Sequence, residues 1–278
     1  MVNLTELDDS PPRFMKLVPE LPLVRKVMGL ASFVMLAMMT QYFVNAADNL
    51  MVGRLPAEEA TASQAALGLG MPLYWAVGGF FSAIGYGTQA MTARRYAEGE
   101  TKRAGQVLYN AVLVAILCGL LGSAIGWFSA ETAVSYLAKA SEEQKQLGIR
   151  YVQWRALGIA AMVVTFAFKA FFDGIGRTQV HLYAAIVMNL TNIGLNYLLI
   201  YGNETLGIPV LGLEGAGIAS MLATYIGLAI MIGSSLTPRY KPFAVFRLGN
   251  RDGAVVRNIA RLMLPSGSAS LILMAGFL

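Results

Sequence analysis

A small set of polar side chains interrupts stretches that are otherwise apolar, and their spacing is helical. Gln41, Asn45 and Asp48 follow one another at intervals of four and three, and so share one face of a helix. Asn189, Asn192 and Asn196 fall at i, i+3 and i+7 and form a second such stripe, with Thr191 beside it. A carboxylate inserted in a bilayer costs about 2.5–3.5 kcal/mol at the helix centre, and it persists where it faces a cavity or meets a cation. Amides supply carbonyl oxygens to a cation and N–H donors to a carboxylate. The chemistry open to these residues is therefore the reversible holding of a proton or small cation. Asp48 is the candidate acid, and Gln41, Asn45, Asn189, Asn192 and Asn196 are the polar residues expected to line a cavity around it. The two stripes are expected to face each other across a hydrated pocket. Two plainer readings stand beside this one. Asp48 lies near Arg54 and could be an interfacial acid, and the asparagines could simply hydrogen-bond neighbouring helices.

The remaining chemistry-bearing residues point elsewhere. His181, the only histidine, is either a proton relay or a bystander at a helix end. Arg155 and Lys169 sit in a segment that is otherwise apolar, where long basic side chains either snorkel to headgroups or line a cavity. Cys118 stands alone and reads as an apolar filler. Glycines at 68, 70, 78, 79, 85 and 87, and again at 212, 215 and 217 with Ser220, suit close helix approach, while Pro72 and Pro265 allow kinks. Asp173-Gly174-Ile175-Gly176 reads as a loop. No metal-ligand cluster, phosphate loop, nucleophile elbow or pair of catalytic carboxylates is visible, so an enzyme is not expected and no cofactor beyond H+ or Na+ is implied.

The elements that must position these residues are membrane helices. Of 278 residues, 56% are hydrophobic and 13% charged, with a mean hydropathy of +0.57. Soluble domains carry about 25% charge. The apolar residues collect in segments long enough to cross a bilayer, at roughly 27–53, 63–93, 104–128, 147–172, 179–201, 214–236 and 258–278. The expected fold is all-α: a polytopic membrane helical bundle. Its divisions are a cytoplasmic N-terminal segment over 1–26, six helices over 27–236, a cytoplasmic linker over 237–257 and the start of a seventh helix over 258–278. That last run stops while still apolar, which reads as a truncated chain. The N-terminus carries Glu6, Asp8 and Asp9 and does not resemble a signal peptide.

Lys and Arg set the expected orientation. With the N-terminus inside, fifteen basic residues lie on the cytoplasmic side and four outside, and these positions also account for the net charge of +5 without nucleic acid. Short basic amphipathic leads precede both the first and the seventh helix, at Leu23–Val27 and Ala254–Ile259, and fit a weak internal repeat.

The motifs now resemble a known family. Asp48-Asn49-Leu50-Met51-Val52-Gly53-Arg54-Leu55 looks like the end of the first helix of multidrug and toxic compound extrusion (MATE) transporters. Gly85-Tyr86-Gly87-Thr88-Gln89 with Arg95–Glu100 resembles their second-helix exit, and Phe172–Gln179 their fourth-to-fifth loop. Asn192–Gly202 followed by Leu211–Ala219 is similar to their fifth and sixth helices. The resemblance runs through essentially the whole chain. It implies an N-terminal six-helix lobe, half of a twelve-helix transporter whose substrate cavity lies between two lobes. It implies efflux of amphipathic or cationic drugs from the cell across the inner or plasma membrane, by antiport with H+ or Na+. It also implies cation or proton coupling at Asp48, with polar support from Asn192 and Asn196. Two departures stand out. The second lobe is nearly all absent, and Leu273 falls near where some sodium-coupled members have a glutamate. A lipid-linked oligosaccharide flippase of the same superfamily and a non-transporting subunit or scaffold are the competing readings.

Overall fold

The protein is seen here as a computed structural model that describes residues 21–137 and 141–276. Expectations on residues 1–20, on Lys139 and on the final two residues lie outside the described residues. The helices, in chain order, are α1 Leu21–Val52, α2 Ala57–Ser82, α3 Ile84–Ala97, α4 Thr101–Leu137, α5 Glu142–Gly174, α6 Gln179–Tyr201, α7 Gly212–Ser235 and α8 Gly253–Ala275. Among the described residues there is no β-strand, only an isolated bridge between Asn203 and Ile208. Hydrocarbon offers no partner to a backbone N–H or C=O, so a chain this apolar satisfies its own backbone in helices.

Among the described residues, six segments are long and apolar enough to cross a membrane: Val24–Val52, Glu59–Ala97, Thr101–Tyr136, Lys145–Gly174, Gln179–Tyr201 and Gly212–Ser235. α1 exposes Met35, Met39, Tyr42 and Phe43, a surface that suits lipid and not water. The second expected helix is divided at Ala83, whose N–H turns back to the Phe80 carbonyl, so that α2 ends and α3 begins one residue later. The seventh expected segment is a helix, α8, but it is not among the six; Arg261 and the run Ser266-Gly267-Ser268 dilute its apolar character. Asp173 and Gly174 close α5 instead of belonging to a loop, and the turn comes at Gly176 with φ +70°.

Helix pairing follows chain direction. α1 and α6 meet at Thr40–Asn189, Asp48–Asn196 and Met51–Tyr201, residue numbers rising together, so the pair is parallel. α5 and α7 are parallel by the same test, through Trp154–Glu214 and Leu157–Tyr225. α4 and α5 run antiparallel, with Gly126 against Ala156 and Gly119 against Ala160. Parallel contacts between alternate helices and antiparallel contacts between consecutive ones are what a serpentine membrane bundle requires. Missing side chains set the closest approaches: a Cβ on Gly119 would lie 2.8 Å from Ala160 Cα, and one on Gly215 would lie 2.5 Å from the Leu199 carbonyl oxygen.

One end of the bundle is sealed by aromatic packing. Phe171 and Phe172 of α5 are fully buried and pack edge-on against Phe243 and Tyr240 in the segment between α7 and α8. Asn110 of α4, also fully buried, donates to the Asn250 carbonyl at 2.7 Å and accepts from the Asp252 N–H at 2.9 Å. Asp252 in turn caps α8 through the Ala254 N–H. α8 is thereby tied to the bundle, with Ile259 fully buried and its backbone against Gly87.

Candidate functional site

The parallel contact of α1 with α6 brings the two polar stripes face to face. Asn196 Nδ2 donates to Asp48 Oδ1 at 2.5 Å and to Asn192 Oδ1 at 3.2 Å. Asn192 Nδ2 reaches across to Ser220 Oγ on α7 at 3.0 Å. Asp48 is 6% exposed and Asn196 has no exposed surface, so the carboxylate is not an interfacial acid bathed in water. The amide of Asn196 spends both its N–H groups on acceptors, and its own Oδ1 is buried with no hydrogen-bond partner. A leftover acceptor next to a carboxylate is a costly arrangement that a cation or a proton would relieve. Oxygen ligands from carboxylate and amide are the donors hard cations take.

The other expected residues sit on the same wall but not in this cluster. Gln41 Nε2 donates to Asn45 Oδ1 at 3.2 Å, and Asn189 Nδ2 donates to Thr40 Oγ1 at 2.9 Å. Gln41, Asn45, Asp48, Asn189 and Asn192 all face a cavity of about 530 Å³, while Asn196 lies behind it. The pocket between the stripes was expected; its extent was not. It continues to Gln89, Lys169 and His181 near the opposite end of the bundle, and α8 lines it through Ser270, Leu273 and Met274.

Charge inside the cavity is spare and mixed. Lys169 Nζ is neutralised by Asp173 Oδ2 at 2.6 Å within α5. Arg155 does line the cavity, so of its two sequence readings the structure shows the second. Its guanidinium lies over the Tyr74 ring with its centre 4.1 Å from the centroid, and Nη2 donates to Met71 Sδ at 3.5 Å. His181 also lines the cavity, with Nδ1 buried and unpartnered. Ser220 and Thr40 escaped the sequence reading because small hydroxyls are common on packed membrane helices. Ser220 did carry a signal: it closes the small-residue run that opens α7, where its spacing suits close helix approach.

A bundle of membrane-length helices around a cavity that a nearly buried carboxylate lines defines a polytopic membrane protein. The MatE family model matches residues 34–198, more than half of the sequence. The chain belongs to the MatE family. Among curated relatives it is 26% identical over 250 residues to multidrug resistance protein PmpM of Pseudomonas aeruginosa, covering 88% of this chain and 50% of that protein. It is 25% identical over 246 residues to the probable multidrug resistance protein NorM of Neisseria meningitidis serogroup A, covering 88% and 52%. The chain thus spans about half the length of the curated relatives it matches. Its fold is shared with the inward-facing structure of a multidrug resistance MATE family transporter, at TM-score 0.73 and 21% identity over 89% of this chain and 55% of that one. A MOP superfamily transporter from Pyrococcus furiosus, described as having a binding pocket of reverse polarity, matches at TM-score 0.76 and 22% identity, covering 88% and 52%.

Proposed function

We propose that this chain is the N-terminal half of a secondary active transporter that exports amphipathic or cationic drugs by antiport with H+ or Na+. The observation that carries the reading is the sealed Asp48–Asn196–Asn192 cluster, with one acceptor left over, opening on a cavity large enough for a drug-sized molecule. A relay of hydrogen bonds links three helices through it: Asp48 on α1, Asn196 and Asn192 on α6, and Ser220 on α7. Loading Asp48 with a proton or sodium ion removes the charge that Asn196 holds and changes the preferred arrangement of all three. Alternating access needs a difference in binding of only a few kcal/mol between two states. Substrate and ion compete for the same negative charge, and that competition is the basis of antiport. The N-terminus is cytoplasmic in this reading, and the membrane is the inner or plasma membrane. The names of the relatives support drugs as cargo.

Asp48→Asn in the transporter that contains this chain tests the reading. Drug resistance in an efflux-deficient host is expected to fall to the empty-vector level while the amount of protein in the membrane stays unchanged. Wild-type efflux by the variant would refute the assignment.

A further inference from the structure

We propose that Arg155 is a recognition residue for an anionic group, so that the cavity takes zwitterionic amphipaths in preference to simple monocations. The proposal rests on the efflux reading above and names its substrate class. A guanidinium offers five N–H donors in a planar fork suited to a carboxylate. Among the described residues, Arg155 finds no oxygen acceptor. Its one hydrogen bond goes to a thioether sulfur, its Nε is buried without a partner, and no ion pair reaches it. Asp48 does not fill this role. Both residues line the cavity, yet they form no ion pair, and the Asp48 carboxylate is engaged by Asn196 instead.

The arrangement on α5 and α2 holds the guanidinium ready. Tyr74 is buried and its ring supports one face of Arg155, fixing the plane of the fork. Met71, also on α2, supplies a soft contact that a stronger oxygen acceptor displaces at little cost. Lys169, the other cavity cation, is already paired with Asp173, whereas Arg155 has no ion pair among the described residues and feels Asp48 only beyond contact distance. A ligand with a cationic and an anionic end meets both needs: its cation lies toward Asp48, where it competes with the coupling ion, and its anion toward Arg155. A monocation gains only the first contact.

A matched dye pair tests this: an amphipathic xanthene dye carrying a free carboxylate, and its methyl ester, which lacks only that charge. Binding is measured by fluorescence polarisation to the complete transporter in nanodiscs. Wild type is expected to prefer the acid. Arg155→Gln should weaken the acid about tenfold or more, the loss expected for a charge-assisted hydrogen bond, and leave the ester within about twofold. Arg155→Lys, which keeps the charge without the fork, should restore part of the preference. Equal loss of both dyes in Arg155→Gln would mean a structural role and overturn the proposal, as would a wild-type protein that prefers the ester. The wild-type comparison stands even where a variant fails to fold. Asp48→Asn separates the two readings: it should abolish ion-driven transport of both dyes, whereas Arg155→Gln should alter only the choice between them.

Discussion

Asn192 is the residue at which structural and functional roles can be told apart. It accepts from Asn196 and donates to Ser220, so it is both a bridge between α6 and α7 and a neighbour of the sealed carboxylate. Interhelical hydrogen bonds in membranes contribute only about 0.6 kcal/mol each. Asn192→Ala should therefore cost about 1 kcal/mol of thermal stability in detergent, a shift of a few degrees. If the cluster binds the coupling ion, the same variant should also move the pH or sodium dependence of drug efflux in proteoliposomes, because Asn196 loses the neighbour that orients it. A small melting shift with unchanged ion dependence would make Asn192 packing glue. This cluster was legible before the structure because helical spacing and an unlikely carboxylate are both one-dimensional signals. Which asparagine would take which partner was not. Asn189 lies on the same face as the others but meets Thr40 and not Asp48, and only the offset between α1 and α6 decides that.

Among the elements, the segment between α7 and α8 falls in the stretch whose sequence suggests only a linker, with no contacts assigned to it. It is instead docked. Asn250 donates to the Ala244 and Val245 carbonyls, Asn110 grips the end of the segment next to α8, and Gly105 lies so close to the Phe243 carbonyl that no Cβ fits between them. The sequence signal was faint because Asn110 is a single amide in a long apolar helix, and its partners are backbone atoms 140 and 142 residues away. Asn110→Leu leaves a carbonyl and an N–H without partners, at about 1–3 kcal/mol each where they stay buried. The segment should then loosen, with faster tryptic cleavage at the exposed Arg247 and Arg251 and a lower melting temperature. Cleavage at the wild-type rate would show that the aromatic contacts of Tyr240 and Phe243 hold the segment without Asn110. Helix lengths were also underestimated from sequence. α4 extends to Leu137, past the apolar run that ended near 128, because helical backbone continues into the interface once polar side chains can reach water.

At the scale of the whole molecule, the pairing of helices restricts the topology to two mirror choices. Parallel contacts of α1 with α6 and of α5 with α7 require the α3–α4 turn and the α6–α7 loop to lie on opposite sides of the membrane. Geometry alone does not say which side faces the cytoplasm, and here charge decides. Arg94, Arg95, Lys102 and Arg103 cluster around the α3–α4 turn, where Glu100 pairs with Arg95 and Arg103, whereas Gly202–Leu211 carries no Lys or Arg. Translocation selects against basic loops, so the turn is expected inside and the Glu204 loop outside. Replacing the sole cysteine by Cys118→Ala allows a direct reading, since Lys102 and Glu204 are both exposed. A membrane-impermeant maleimide should label Glu204→Cys in intact cells and Lys102→Cys only after permeabilisation. The reverse pattern would invert the bundle. Because α1 and α6 run together toward the Glu204 loop, it would also move Asp48 and Asn196 from the outer half of the membrane to the inner half, so that the ion would load from the cytoplasm and an inward gradient could no longer drive export.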